Sequence, residues 1–140
     1  MEFLLLTPGA VTLPELRRIA RGTAPVALAA GWHAPVERAV AAVAARLDAG
    51  EALYGINTGF GRLAKTRIAP DELAKLQLYI VRSHAAGVGD PLPDSTVRLA
   101  MALKAASLAR GYSGVRPVIV ERLLAMLAAG VLPRVPAQGS

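Results

Sequence analysis

The sequence predicts a mainly α-helical fold with short extended segments and one glycine-rich loop. Three observations carry this. Apolar residues recur at the 3.6-residue period of a helix in several stretches, glycine or proline brackets those stretches, and the 54% apolar content is rich in alanine and holds only 4% aromatic residues. A chain of 140 residues is long enough to bury a core, and no repeat, low-complexity linker or change of composition divides it. Residues 1–140 are therefore expected to form a single domain.

Phe3 to Leu6 is a short apolar run ending at Thr7-Pro8-Gly9, which reads as a strand or extended lead-in followed by a turn. Thr12-Leu13-Pro14-Glu15 has the pattern of a capping box, so a short helix is expected to run from here to about Arg21 and stop at Gly22. From Pro35 to Ala49, Val36, Val40, Val43, Ala44 and Leu47 fall at offsets 0, 4, 7, 8 and 11, one stripe of an amphipathic helix that Gly50 ends. Tyr54-Gly55-Ile56-Asn57-Thr58-Gly59-Phe60-Gly61 holds three glycines and an asparagine in eight residues, which makes it a shaped loop rather than a helix.

A third helix is expected to begin at Pro70 and Asp71, with Leu73, Leu76, Ile80 and His84 at offsets 0, 3, 7 and 11, before Gly87 and Gly89 end it. His84 then lies in register with the buried face. A fourth, alanine-rich helix runs from about Asp94 to Arg110 and stops at Gly111, and a fifth from Pro117 to Ala129 buries Val120, Leu123, Leu124 and Leu127 ahead of Gly130. Val131 to Pro136 reads as extended.

Composition excludes several classes of function. Without cysteine there is no disulfide framework, zinc ribbon or thiol nucleophile, and two histidines lack partners at metal-binding spacing, so no metal site is expected. The net charge of +6 invites a nucleic-acid partner, but the basic residues are scattered and no aromatic residues interleave with them, so none is expected. The apolar runs are broken well short of the roughly 20 residues of a membrane span. Met1 to Leu6 lacks a basic leader followed by a long apolar stretch, so no signal peptide is read and the expected location is the cytoplasm. So much apolar surface on a small chain calls for a hydrophobic partner surface.

The glycine-rich loop has neither the spacing of a phosphate-binding loop nor a dinucleotide-binding strand before it. It is either a structural turn or a place where the backbone passes close to a ligand while Tyr54 presents its phenol to the same space. His84 is likewise either a core histidine satisfied by backbone groups or a ring beside open volume, since Ala85-Ala86-Gly87-Val88-Gly89 follows it. Ser107, Ser113 and Ser140 have no visible base partner and no Gly-x-Ser-x-Gly elbow exists, so a serine hydrolase is not expected. Asp71 and Glu72 read as partners of a helix dipole, Arg98, Lys104 and Arg110 as solvated charges, and His33 as a surface residue.

Taken together, the loop at 54–61, Ser83-His84-Ala85-Ala86-Gly87-Val88-Gly89, Leu108 through Pro117, and Val135-Pro136-Ala137-Gln138-Gly139-Ser140 resemble the N-terminal part of a histidine ammonia-lyase, over essentially the whole chain. The resemblance implies the helical N-terminal domain of an ammonia-lyase bundle. It also implies an amino-acid substrate, a homotetramer of longer chains, and elimination of ammonia from L-histidine to give urocanate. The electrophile of that family is 4-methylidene-imidazol-5-one, self-formed from Ala-Ser-Gly. That tripeptide is expected a few residues after Gly139-Ser140 and is absent from this chain, so the chain alone is expected to be inactive. By the same resemblance Tyr54 is the catalytic tyrosine that removes the β-proton, His84 contacts the substrate's side-chain ring, and Gly61 is a pocket wall. A tyrosine ammonia-lyase or 2,3-aminomutase of the same family is the neighbouring alternative, against which Ala85 speaks. A non-catalytic helical interaction module is the alternative from another class.

Overall fold

The computed structural model describes residues 2–59 and 68–139. Phe60 and Gly61 lie outside the described residues. In chain order the elements are β1 (Leu4–Leu6), α1 (Leu13–Arg21), β2 (Val26–Leu28), α2 (His33–Asp48), a 3-10 turn (Pro70–Glu72) leading into α3 (Leu73–His84), β3 (Val88–Pro91), α4 (Asp94–Leu108), α5 (Pro117–Ala128) and β4 (Pro136–Gln138). The fold is mainly helical, as the periodicity predicts. The chain divides into two compact units, residues 1–41 with 91–135 and residues 42–90 with 136–140.

In the first unit, β1 and β2 pair in parallel, with Leu4, Leu5 and Leu6 opposite Val26, Ala27 and Leu28. Leu4, Leu6, Val26 and Leu28 point into the core while Leu5 faces out, the two-residue alternation of a strand with one covered face. The α1 crossover between the strands inserts Ile19, which is fully buried. Small residues on α4, namely Ala102, Ala105 and Ala106, and Ala109 just after it let that helix approach closely, and Val120 of α5 closes the core. Leu123, Leu124 and Leu127 of α5 are packed against this core but only half-buried.

Both ends of α1 follow from local chemistry. At its start the Glu15 carboxylate accepts the Thr12 backbone N–H at 2.6 Å and the Thr12 hydroxyl at 2.7 Å. At its end Gly22 adopts the left-handed conformation (φ 65°), and the N–H groups of Gly22 and Thr23 return to the carbonyls of Ile19 and Arg18. The Thr12 hydroxyl and then the Thr12 N–H hold the Glu15 carboxyl below its ordinary value of 4.5. Because the folded value is the lower one, the box contributes stability above about pH 4.5 and loses it as the pH falls through the folded value. A carboxyl-carbon NMR titration is expected to place Glu15 below 4.5 in the native chain and closer to the ordinary glutamate value in Thr12→Ala, which loses the hydroxyl but keeps the backbone N–H.

Arg98 corrects the sequence reading. It is not a solvated charge: its Nη1 donates to the Ala20 carbonyl at 2.9 Å, capping the last turn of α1 from α4. A cation at a helix C-terminus meets both the free carbonyl and the negative end of the helix dipole. Arg98→Ala is expected to lower unfolding stability by about 1 kcal/mol in a urea titration. A change no larger than that of an exposed helix-surface substitution would show that the contact contributes nothing.

The helix limits differ slightly from those read in the sequence. α2 starts at His33, ahead of Pro35, since proline is accepted in a first helical turn. The His33 ring stacks on Trp32 at 3.7 Å and its Nε2 lies 3.3 Å from Glu121 at the surface. α4 ends at Leu108 instead of Arg110, the turn being closed by N–H groups of Arg110 and Gly111 on the carbonyls of Ser107 and Leu108. On α2 only Val36 is buried; Val40, Val43 and Leu47 are half-buried and Ala44 is exposed. The stripe is real, but most of it is not covered by the described residues.

Candidate active site

Tyr54 and His84 both belong to the second unit. Tyr54 opens the loop that follows α2, and His84 is the last residue of α3.

The loop is held by its own side chains. Asn57 bridges the backbone on the N-terminal side of Tyr54: its Oδ1 accepts the Leu53 N–H at 2.7 Å and its Nδ2 donates to the Glu51 carbonyl at 2.8 Å. Thr58 is buried; its hydroxyl accepts the Gly55 N–H at 3.3 Å and donates to the Gly59 carbonyl at 3.0 Å. Gly55 takes φ 72°, a conformation that costs a residue with a side chain roughly 1–2 kcal/mol. The Ile68 N–H donates to the Asn57 carbonyl at 3.0 Å, fixing the far side of the loop as well. Asn57 and Thr58 escape a search for reactive groups, yet an asparagine beside a glycine turn is a signal for this kind of side-chain brace. On the braced backbone Tyr54 is 65% exposed.

His84 departs from the expected register. The other members of the stripe, Leu73, Leu76 and Ile80, are half-buried, and His84 is exposed. The backbone leaves the helix at Ala85 (φ −79°, ψ 56°), and the imidazole folds back over its own last turn, with Nδ1 2.8 Å from the Ile80 carbonyl oxygen. Ala86 and Gly87 then run against β4. A side chain on Gly87 would meet Pro136 at 2.7 Å, and one on Gly139 the Ala86 carbonyl at 2.8 Å. Gly87 thus serves close packing against β4. The first unit has an open hollow of about 330 Å³ beside Trp32, Pro35, Arg110 and Tyr112, which includes neither candidate residue.

No group of three or more His, Asp or Glu side chains that could hold a metal ion occurs among the described residues, and no described helix is long and apolar enough to cross a membrane. The 140 residues contain no Ala-Ser-Gly tripeptide. What the unit offers is an accessible phenol and an accessible imidazole, groups suited to accepting a proton and to hydrogen-bonding a polar side chain.

The sequence pattern of the aromatic amino acid lyases matches residues 11–140. The chain belongs to this family. It is similar to histidine ammonia-lyase of Paracidovorax citrulli, 54% identical over 140 residues, all of this chain and 27% of that protein. It is 52% identical to histidine ammonia-lyase of Burkholderia pseudomallei over 137 residues, 98% of this chain and 27% of that one. The fold is that of the lyase family in solved structures too. Histidine ammonia-lyase from Trypanosoma cruzi superposes with a TM-score of 0.85 at 33% identity, over 99% of this chain and 27% of that chain. Tyrosine aminomutase from Streptomyces globisporus does so with a TM-score of 0.89 at 30% identity, over 98% and 26%. The chain spans about 27% of the length of the curated relatives it matches.

Proposed function

We propose that these residues form the N-terminal part of a histidine ammonia-lyase, supplying the phenol of Tyr54 and the imidazole of His84 to a site completed by further polypeptide. The observation that carries this reading is the 52–54% identity to histidine ammonia-lyases over 98–100% of the chain. The substrate is L-histidine and the products are ammonia and urocanate.

The reaction removes a β-proton that is far too weakly acidic for a side-chain base alone. The methylidene-imidazolone supplies the electron sink for loss of the amino group. Tyr54 accepts the β-proton at its phenolic oxygen. The brace of Asn57 and Thr58 holds the loop that bears Tyr54, so the oxygen reaches the proton without the loop being ordered anew at each turnover. His84 binds the substrate ring, and Gly61 lines the pocket. Partner copies of the chain cover the half-exposed stripes of α2 and α3 in a homotetramer, in the cytoplasm.

The 140 residues by themselves are expected to release no urocanate from histidine at any enzyme concentration. The same assay on protein in which the sequence continues through an Ala-Ser-Gly is expected to show turnover. Urocanate formation by the 140-residue chain alone would overturn the division of the site.

A further inference from the structure

The last turn of α3 contains a hydrogen-bond arrangement that decides which nitrogen of His84 carries the proton. The Nδ1 atom lies 2.8 Å from the Ile80 carbonyl oxygen and 3.1 Å from the Ser83 hydroxyl oxygen. That hydroxyl is itself 3.0 Å from the same carbonyl. A carbonyl oxygen only accepts. A bare Nδ1 would therefore set two lone pairs against each other, whereas an Nδ1–H donates to it. The single proton of the Ser83 hydroxyl is used on the Ile80 carbonyl, so towards the imidazole the Ser83 oxygen is an acceptor. Both neighbours ask for Nδ1–H.

We propose that Ser83 is a positioning residue that, together with the Ile80 carbonyl, fixes His84 as the Nδ1–H tautomer and so presents Nε2 as a hydrogen-bond acceptor. In a neutral imidazole one nitrogen donates and the other accepts, and the bond made by one sets the role of the other. The ligand group that suits this Nε2 is a donor, such as the ring N–H of an imidazole. This consequence rests on the proposed role of His84 in binding the substrate ring; the tautomer itself does not.

The test is the nitrogen-15 spectrum of the histidine side chains in the full 140-residue chain, recorded in alkaline buffer where raising the pH further no longer changes it. The chain has only two histidines, so His33→Asn assigns the signals of His84. The expected spectrum shows Nδ1 with the shift of a proton-bearing nitrogen and Nε2 with that of a bare one. Ser83→Ala is expected to move both shifts towards their common average with the helical circular dichroism unchanged. Ser83→Thr, which keeps a hydroxyl able to reach a carbonyl of the preceding turn, is expected to restore them. A proton on Nε2 in the native chain, or shifts unaltered by Ser83→Ala, would overturn the proposal. No substrate is present in this experiment, so its failure is distinct from a failure of histidine turnover.

Discussion

Replacing Tyr54 by phenylalanine in protein that continues through an Ala-Ser-Gly is expected to lower kcat by about 10²–10⁴-fold and to leave KM nearly unchanged. The substitution removes one oxygen from a side chain that is 65% exposed, so the core of the second unit keeps its packing. On the proposed reading, what is lost is the atom that takes the β-proton, an interaction made on the way to the transition state and not in the bound ground state. Steady-state kinetics on L-histidine separate the two parameters. A rise in KM at constant kcat would instead make Tyr54 a binding residue. Asn57→Ala is the informative companion, because it leaves the phenol in place and removes both hydrogen bonds that fasten the chain before it.

The largest effect on stability is expected at Gly111, where alanine should cost about 2–5 kcal/mol. Two terms add. The backbone has φ 77°, which is unfavourable for any residue with a Cβ by roughly 1–2 kcal/mol. The added carbon would also run into the Pro35 carbonyl group, and overpacking of that kind costs typically 1–3 kcal/mol. Backbone cannot swing aside as a flexible side chain does, so α2 and the turn after α4 must separate. Urea unfolding of Gly111→Ala and of Gly130→Ala makes the comparison clean. Gly130 has φ 68° but nothing within 4 Å of its would-be Cβ, so it reports the conformational part alone.

The helices are legible in the sequence because the signals that make them are local. Period, capping box and terminal glycine all lie within a few residues of the turn they specify, and α1 begins and ends where Thr12, Glu15 and Gly22 place it. Contacts between distant residues are not local. The Arg98 cap reaches across 78 positions to Ala20, and in a helix-surface pattern such an arginine looks like any solvated charge. β2 is three residues long and owes its existence to pairing with β1, so Val26-Ala27-Leu28 carries too little pattern to be read unaided. β3 and β4 contain glycine and proline, residues that weaken strands, and form through their mutual pairing.

The candidate site shows the same division. The loop at Tyr54 is visible in its glycines, and the brace within it follows from Asn57 and Thr58. The exposure of His84 was not legible. Periodicity states which residues share a face of a helix; it does not state whether anything covers that face. Along α3 the stripe of Leu73, Leu76 and Ile80 is only half covered, and at its end the imidazole finds its hydrogen bonds on the preceding turn. The same half-covered stripes on α2 and α3 are what a larger helical assembly would bury.

Product identification tests the proposed chemistry most directly. Protein in which these residues continue through an Ala-Ser-Gly is supplied in turn with L-histidine and L-tyrosine, and the organic product of each is analysed. Urocanate with stoichiometric ammonia from histidine, and no comparable turnover of tyrosine, is the expected result. Coumarate or β-tyrosine as the main product, or no reaction of either amino acid, would contradict it.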